Sequence, residues 1–344
     1  MGDSVIPSSP LTPPVPTPPP LEPRHTIFRG PNGMRAGWRV LIFLALVFAI
    51  VLAITMPIAL LMLVKHGGAI PEAAIGGASL MPSGTVMSAG MLFAIPALAA
   101  LIMARIERRK FGEYGLPWRS ALGKNFWIGG LAGFAAISVC LLGIFALHGV
   151  GFTGVAIHGE TLISATAAWS VTFVLVGLSE EFAFRGYLQY TLTSGMGFWP
   201  AAILLSCVFA LAHRSNPGES NYGLLSVVLF GLLFCLFLRR TGNLWWAVGF
   251  HAGWDWGQTF FYGVPDSGLR PYHNLFRATF HGPRWLTGGS VGPEASVFTP
   301  IVLGMVAWWF TRVHRENRYW FQKAAVRAQG DQENVEVSAD LAEL

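Results

Sequence analysis

Residues 179–186 carry three ionisable side chains at the end of the apolar run 163–178. A charged residue at the centre of a membrane helix costs about 2.5–3.5 kcal/mol, so such groups need partners or a function. Glu181 and Arg185 are four residues apart and share one helix face, where they can form an ion pair. Glu180 lies about 100° around the helix from Glu181 and lacks that partner. An unpaired, partly desolvated carboxylate is a suitable general base.

Two further apolar runs each carry a histidine. His213 lies one turn after Phe209, and His251 lies one turn before Asp255. A lone histidine in an apolar run is usually a satisfied core residue, but three helices that each bear acid–base groups indicate one shared polar site. In such a site Glu180 and His213 can activate a water molecule. His251 and Asp255 can face the oxygen that becomes negative, so the site suits hydrolysis of an acyl bond, most simply a peptide bond.

The composition places these helices in a membrane. Of the 344 residues, 53% are hydrophobic and only 12% are charged, whereas soluble domains contain about 25% charged residues. The formal net charge of +5 does not indicate nucleic-acid binding. The basic residues cluster beside apolar runs, where they orient helices and contact anionic lipid headgroups.

Eight apolar segments predict an all-α fold, a polytopic bundle of about eight transmembrane helices. The segments are residues 40–64, 86–106, 126–147, 163–192, 199–213, 222–238, 244–261 and 298–310. The ionisable groups lie on the fourth, fifth and seventh segments, so we expect the active site between these three helices. Gly129 and Gly133 form a small-xxx-small pair on the third segment, which is typical of a helix-packing face.

Polar tails are predicted at both ends of the membrane domain. Residues 1–36 form a Pro-rich tail that cannot build a core and is expected to be disordered. The transmembrane domain is expected to cover residues 37–313, and residues 314–344 form a polar tail.

Basic clusters predict how the bundle is oriented. Cytoplasmic loops of membrane proteins carry an excess of Lys and Arg. With eight spans, four basic clusters fall on one side, which we assign as cytoplasmic together with both termini: residues 24–39, 105–110, 239–240 and 312–323. The loop 263–295 on the opposite side carries Arg270, Arg277 and Arg284. The chain is therefore predicted to be an integral, multi-pass membrane protein.

The three polar motifs together resemble those of a known family. Glu-Glu-x-x-x-Arg begins at Glu180, Phe-x-x-x-His ends at His213, and His-x-x-x-Asp ends at Asp255. Three such motifs in this order on successive membrane helices are similar to those of the CPBP family of intramembrane proteases. That family includes the type II CAAX prenyl endopeptidases and the Abi bacteriocin-immunity proteins. The resemblance covers a core of about residues 126–262.

The resemblance implies roles for individual residues. Glu180 would activate water together with His213, while His251 and Asp255 would line the oxyanion site. Three residues would support the site rather than react: Glu181, Arg185 and Phe209. Prenyl endopeptidases commonly have asparagine at the last motif position, where this chain has Asp255, which cannot donate a hydrogen bond when ionised.

The residues alone do not decide whether this site binds a metal ion. We favour a mechanism without one, because the zinc-protease motif His-Glu-x-x-His is absent from the sequence. The alternative is a divalent ion such as zinc, with ligands drawn from Glu180, His213, His251 and Asp255.

The expected function is therefore that of an intramembrane endopeptidase, with CAAX-type processing as one form of it. Its expected partners are membrane lipid and a peptide or protein substrate, with or without a lipid group, and no nucleic acid. Two alternatives stay open at this point. One is a non-catalytic immunity or scaffold protein of the same fold. The other is a proton-coupled transporter, although such proteins usually have inverted repeats, and the sequence shows none.

Overall fold

The computed structural model describes residues 27–30, 33–66 and 79–319. Its first half begins with a hairpin of β1 (Arg29–Gly30) and β2 (Gly33–Met34). The following elements are α1 (Ala36–His66), β3 (Ser79–Leu80), α2 (Pro82–Ile106), α3 (Lys124–Ala146), β4 (Val150–Val155) and α4 (Gly159–Arg185). Short 3₁₀ turns at Phe111–Tyr114 and Trp118–Ser120 connect α2 to α3.

The second half contains the remaining helices of the bundle. They are α5 (Tyr187–Met196), α6 (Phe198–His213), α7 (Asn221–Thr241), α8 (Trp245–Asp255), α9 (Arg284–Thr287) and α10 (Phe298–Val313). α8 continues into a π-helical segment, Trp256–Phe261. Two short strands, β5 (Arg270–Pro271) and β6 (Phe276–Phe280), lie between α8 and α9, and a 3₁₀ turn at Pro293–Ala295 precedes α10.

Every apolar segment predicted to span the membrane is helical. In the described part of the chain, five helical segments are long and apolar enough to cross a bilayer: Ala36–Lys65, Pro82–Ile106, Lys124–Ala146, Gly159–Met196 and Asn221–Thr241. α6 and α10 are shorter apolar helices. The fourth predicted helix is interrupted at Gly186, whose ψ of −117° is not helical. The chain is thus an integral membrane protein built as a polytopic helical bundle, as predicted.

The loops gather at two opposite faces of this bundle. We call the first the basic face, formed by residues 107–123, 242–244 and 314–319 and the start of α1. Here the Leu244 amide donates to the Gly115 carbonyl at 2.8 Å, and Arg39 pairs with Glu107 at 2.6 Å. We call the second the distal face, formed by residues 147–158, 214–220 and 262–297. There β4 pairs with β6 in antiparallel fashion, and β3 pairs with β5 in parallel.

Close packing of α3 against α8 fixes the position of the third motif. A Cβ atom on Gly133 would collide with the Phe250 carbonyl, and one on Gly253 would collide with the Gly130 carbonyl. The absence of side chains lets the two backbones approach closely. The small-xxx-small pair on α3 is therefore a packing face, as predicted, and it sets the depth of α8 and of the groups that α8 carries.

The predicted tails differ from the structure where they meet the bundle. The disordered tail was placed over residues 1–36, most of which lie outside the described residues. Arg29–Gly30 and Gly33–Met34, however, pair as strands β1 and β2, and Phe28 packs on Trp38 with ring centroids 4.9 Å apart. At the other end, Tyr319 is only 3% exposed, because its ring packs against Phe198 with centroids 5.0 Å apart, and its amide bonds to the Arg239 carbonyl at 3.1 Å. The polar tail therefore starts as part of the packed bundle.

Candidate active site

The structure brings Glu180, His213 and His251 together from three different helices. Glu180 lies near the end of α4, His213 is the last residue of α6, and His251 lies in the second half of α8. Glu180 Oε2 is 4.0 Å from His213 Nε2 and 3.7 Å from His251 Nε2. A carboxylate and two imidazoles thus point at one small volume between α4, α6 and α8.

His251 lies among three carboxylates. Its Nδ1 is 3.1 Å from Glu181 Oε1, and its Nε2 is 3.7 Å from Glu180 Oε2 and 3.5 Å from Asp255 Oδ2. The ring of Phe234 stacks on the imidazole with centroids 5.1 Å apart and an interplanar angle of 15°. These contacts fix the plane of the ring, so that one nitrogen faces Glu181 and the other faces the site.

A backbone contact sets the tautomer of His213. Its Nδ1 is 2.8 Å from the carbonyl oxygen of Phe209, one turn earlier on α6. Because a carbonyl only accepts, Nδ1 carries a proton and donates it. In the neutral ring Nε2 is then an acceptor, and this is the nitrogen that faces Glu180. The Phe209 ring meets the His213 ring edge to face at 4.5 Å.

Arg185 is a fully buried cation held by aromatic rings and one carboxylate. Its guanidinium carbon lies 4.3 Å from the centroid of Phe209, and Nη1 is 3.5 Å from Glu181 Oε1. Both members of this ion pair have fully buried side chains. Within the described part of the chain, Glu181 Oε2 and Arg185 Nε have no hydrogen-bond partner. Glu181 Oε1 contacts both Arg185 Nη1 and His251 Nδ1, so this one oxygen connects the buried cation to the imidazole.

A cavity of about 390 Å³ contains these reactive groups. Its lining includes Glu180, His213, His251 and Asp255, the four residues predicted to react. Aliphatic and aromatic side chains form its walls, among them Ala89, Leu92, Phe173, Val176 and Phe230. An apolar pocket with a few convergent polar groups is the usual form of a substrate site.

Two carboxylates in this cavity were missed by the sequence interpretation. Asp266 Oδ2 accepts from the Thr259 hydroxyl at 2.7 Å, and Glu294 Oε2 accepts from the amide and the hydroxyl of Ser267, both at 3.1 Å. Loss of water around both groups raises the pKa of each carboxyl above its ordinary value. The sequence contains little that would point to either carboxylate as part of the site. Each follows a proline in the long loop between α8 and α10.

Besides the predicted ligands, the described residues contain one carboxylate cluster that could hold a metal ion. The predicted ligand set of Glu180, His213, His251 and Asp255 has successive separations of 4.0, 3.7 and 3.5 Å. A second set consists of oxygen atoms of Asp255, Asp266 and Glu294, which all lie within 4.8 Å of one another. Oxygen-only ligands suit hard cations such as Mg²⁺, whereas imidazole with carboxylate suits zinc. The metal requirement stays a prediction.

The comparison with known families gives a match that contains all three motifs. Residues 162–257 match the family model described as type II CAAX prenyl endopeptidase Rce1-like. No curated protein and no solved structure matches the chain. The matched segment runs from the start of α4 to just beyond Asp255, and therefore includes every site residue named from the sequence. Over residues 162–257 this membrane protein is thus similar to the Rce1-like type II CAAX prenyl endopeptidases, as the resemblance predicted.

Proposed function

We propose that the protein is an intramembrane endopeptidase in which Glu180 activates the attacking water. The observation that carries this proposal is the position of Glu180 Oε2, 4.0 Å from His213 Nε2 and 3.7 Å from His251 Nε2 inside the cavity. The family match supports a protease. The substrate is a peptide bond in a membrane-associated chain, which carries a prenyl group if processing is of the CAAX type.

The geometry around Glu180 and His213 suits a water molecule. Both facing atoms are hydrogen-bond acceptors, and at 4.0 Å they do not bond to each other. One water can donate a hydrogen to each, since hydrogen bonds of about 2.8 Å to both acceptors fit this spacing. Glu180 takes a proton as the water oxygen attacks the carbonyl carbon. It returns the proton to the leaving amine when the C–N bond breaks.

His251 is the donor proposed for the oxygen that becomes negative. When both ring nitrogens are protonated, Nδ1 donates to Glu181 and Nε2 can donate into the site. The surrounding carboxylates of Glu180, Glu181 and Asp255 would balance the charge of that ring. Glu181 thus acts as a positioning residue, and Arg185 in turn holds Glu181.

Asp255 distinguishes two versions of the mechanism. In the metal-free version, which we favour, the Asp255 carboxylate 3.5 Å from His251 Nε2 keeps this ring charged as the donor. In the metal version, Asp255 is a ligand, and the ion would supply Lewis-acid stabilisation of the oxyanion.

The experiment that tests the proposal compares membranes containing the wild type with membranes containing Glu180→Gln. The amide keeps the shape of the side chain and removes the basic oxygen. We expect full-length substrates to accumulate with Glu180→Gln and their fragments to disappear. Glu160→Gln is the matched control, because Glu160 lies on the exposed first turn of the same helix. Identical membrane proteomes for wild type and Glu180→Gln would contradict the proposal and favour a scaffold role.

A further inference from the structure

A second pocket of about 390 Å³ lies at the distal face, outside the candidate active site. Its lining comes from the turn before α7 and the first residues of that helix, from α9 and the glycine-rich turn after it, and from the residues just before α10. None of the residues that line the second pocket also lines the active-site cavity. The second pocket is therefore a separate site, and the chemistry proposed above gives it no role.

The polar side chains around the second pocket are donors of hydrogen bonds. They are the hydroxyls of Ser220, Tyr222 and Ser290 and the guanidinium of Arg284. Ser220 Oγ already accepts from the Gly223 amide at 3.0 Å, which leaves its hydroxyl hydrogen to donate. Among the described lining residues there is no Asp or Glu. The second pocket thus offers one cation and three O–H donors, which together suit an anion.

Arg284 is held at the second pocket while its charge is left unpaired. A Cβ atom on Gly289 would lie 3.2 Å from Arg284 Cγ, so the arginine stem packs over the backbone of this glycine. Within the described residues, the Arg284 guanidinium makes no hydrogen bond and no ion pair. The Glu219 carboxylate accepts instead from the Ser220 amide at 2.8 Å. A guanidinium presents its N–H groups as a fork that matches two oxygens of one phosphate.

The second pocket lies at the depth of the lipid headgroups. α7 has 21 residues and is about 32 Å long, close to the roughly 30 Å thickness of a bilayer core. Its first residues, Tyr222 among them, therefore lie at the membrane surface. Tyr222 and Trp285 are 39% and 59% exposed. Tyrosine and tryptophan are enriched at the level of the headgroups, where an apolar ring meets polar groups.

An apolar surface continues from the second pocket along α7 and α10, which pack against each other. Leu225 follows Tyr222 by three residues on α7, and Ile301 follows Val297 by four residues around the start of α10. Each apolar residue thus lies about one turn deeper on the same side of its helix. Both side chains are more than half exposed. An acyl chain attached to a headgroup in the second pocket would run along this surface.

We propose that the second pocket binds the phosphate of a membrane phospholipid, with the Arg284 guanidinium on the phosphate oxygens and the acyl chains along α7 and α10. A free phosphate ion would use only the polar groups, whereas a phospholipid also uses the apolar surface below them. The proposal is independent of the protease function, because the second pocket contains none of the reactive groups.

Thermal unfolding of the full-length protein in detergent tests the proposal. The probe is dioleoyl phosphatidylglycerol, added in increasing amounts. Dioleoylglycerol has the same chains without the phosphate, and inorganic phosphate has no chains. A ligand that binds the folded state raises the midpoint of unfolding. We expect a saturable rise with phosphatidylglycerol and none with the other two ligands.

Each comparison ligand can overturn the proposal. An equal rise with dioleoylglycerol would mean that the phosphate is not recognised. An equal rise with inorganic phosphate would mean that the second pocket is a site for a free anion and not for a lipid.

Arg284→Gln removes the proposed phosphate ligand. We expect it to raise the half-saturating concentration of phosphatidylglycerol at least about tenfold, since a hydrogen bond to a charged group is lost. Arg277→Gln is the matched control, because Arg277 is an exposed residue of β6 on the same face and does not line the second pocket. It should bind the lipid as the wild type does. Equal half-saturation in Arg284→Gln and wild type would overturn the proposal, as would equal weakening in both arginine variants.

Ser290→Ala gives a second measurement if Arg284→Gln folds poorly. Ser290 is exposed, so its hydroxyl is not needed for packing. We expect its loss to raise the half-saturating concentration about threefold, and an unchanged value would overturn the proposal. Glu180→Gln should bind the lipid as the wild type does, so lipid binding and proteolysis are lost separately.

Discussion

His251 is the residue on which the site depends most, because three carboxylates and an aromatic ring converge on it. The bond from Nδ1 to Glu181 at 3.1 Å could not be predicted from the sequence. The spacing of Glu181 and Arg185 predicted their pairing, since both are on one helix. The additional contact depends on how α4 and α8 are rotated against each other, which the sequence pattern does not determine.

The buried pair should matter for stability more than the general base does. Glu181 and Arg185 have fully buried side chains, whereas Glu180 is 21% exposed. Removing one member of a buried pair leaves an uncompensated charge and costs about 3–5 kcal/mol. We therefore expect Glu181→Ala and Arg185→Ala each to lower the thermal midpoint in detergent more than Glu180→Gln does. Equal midpoints for the three variants would show that the pair contributes nothing.

Asp255→Asn separates the metal-free mechanism from the metal mechanism. An amide can donate to the oxyanion where an ionised carboxylate cannot, so without a metal we expect activity to survive or rise. A metal site would lose a ligand and with it both the bound ion and the activity. Elemental analysis and a peptidase assay on the same samples decide between them. Stoichiometric zinc in the wild type, lost together with activity in the variant, would reject the metal-free version.

The two loop carboxyls predict a pH dependence of stability. Burial raises the pKa of Asp266 and of Glu294 above their ordinary values of 3.8 and 4.5. The folded state then binds more protons than the unfolded state, so stability falls as the pH rises from about these values through the raised pKa. We expect Asp266→Asn to flatten this decline in midpoint against pH. An unchanged slope in Asp266→Asn would mean that this group is not perturbed.

At the scale of elements, the contact between α3 and α8 places the third motif. A methyl group at Gly133 would collide with the α8 backbone, whereas one at Gly130 would meet the nearest atom, the Gly249 carbonyl oxygen, at an ordinary 3.6 Å. We expect Gly133→Ala to cost about 1–3 kcal/mol through overpacking and to reduce activity by shifting His251. Gly130→Ala is the matched control and should retain both stability and activity. Similar losses in both variants would mean that this close approach does not position α8.

The helices were predictable because each is a continuous apolar segment, although among the described residues only five are long and apolar enough to cross a bilayer. The ends of α3, α6 and α7 lie within three residues of their predicted limits. The loop carboxylates were not predictable in this way. Asp266 and Glu294 reach the cavity through a long loop without hydrophobic periodicity, so no spacing rule connects them to Glu180.

At the scale of the whole molecule, the fold separates a basic face from an acidic cavity. Glu180, Asp255, Asp266 and Glu294 all line the cavity, and among its described lining residues there is no Lys or Arg. The motifs predicted that three helices meet. They could not predict the number of carboxylates at the meeting point, because Asp266 and Glu294 reach it from a loop.

The most direct test of the account is hydrolysis by purified protein in liposomes, carried out in ¹⁸O-labelled water. The input is membrane protein from cells that contain Glu180→Gln, in which uncleaved substrates have accumulated. We predict that the wild type and Glu160→Gln generate new peptide C-termini that each carry one ¹⁸O atom. Glu180→Gln should generate them at least about 10²–10⁴-fold more slowly, the usual contribution of a general base. Cleavage by Glu180→Gln at the wild-type rate would contradict the assignment of Glu180 as the residue that activates water.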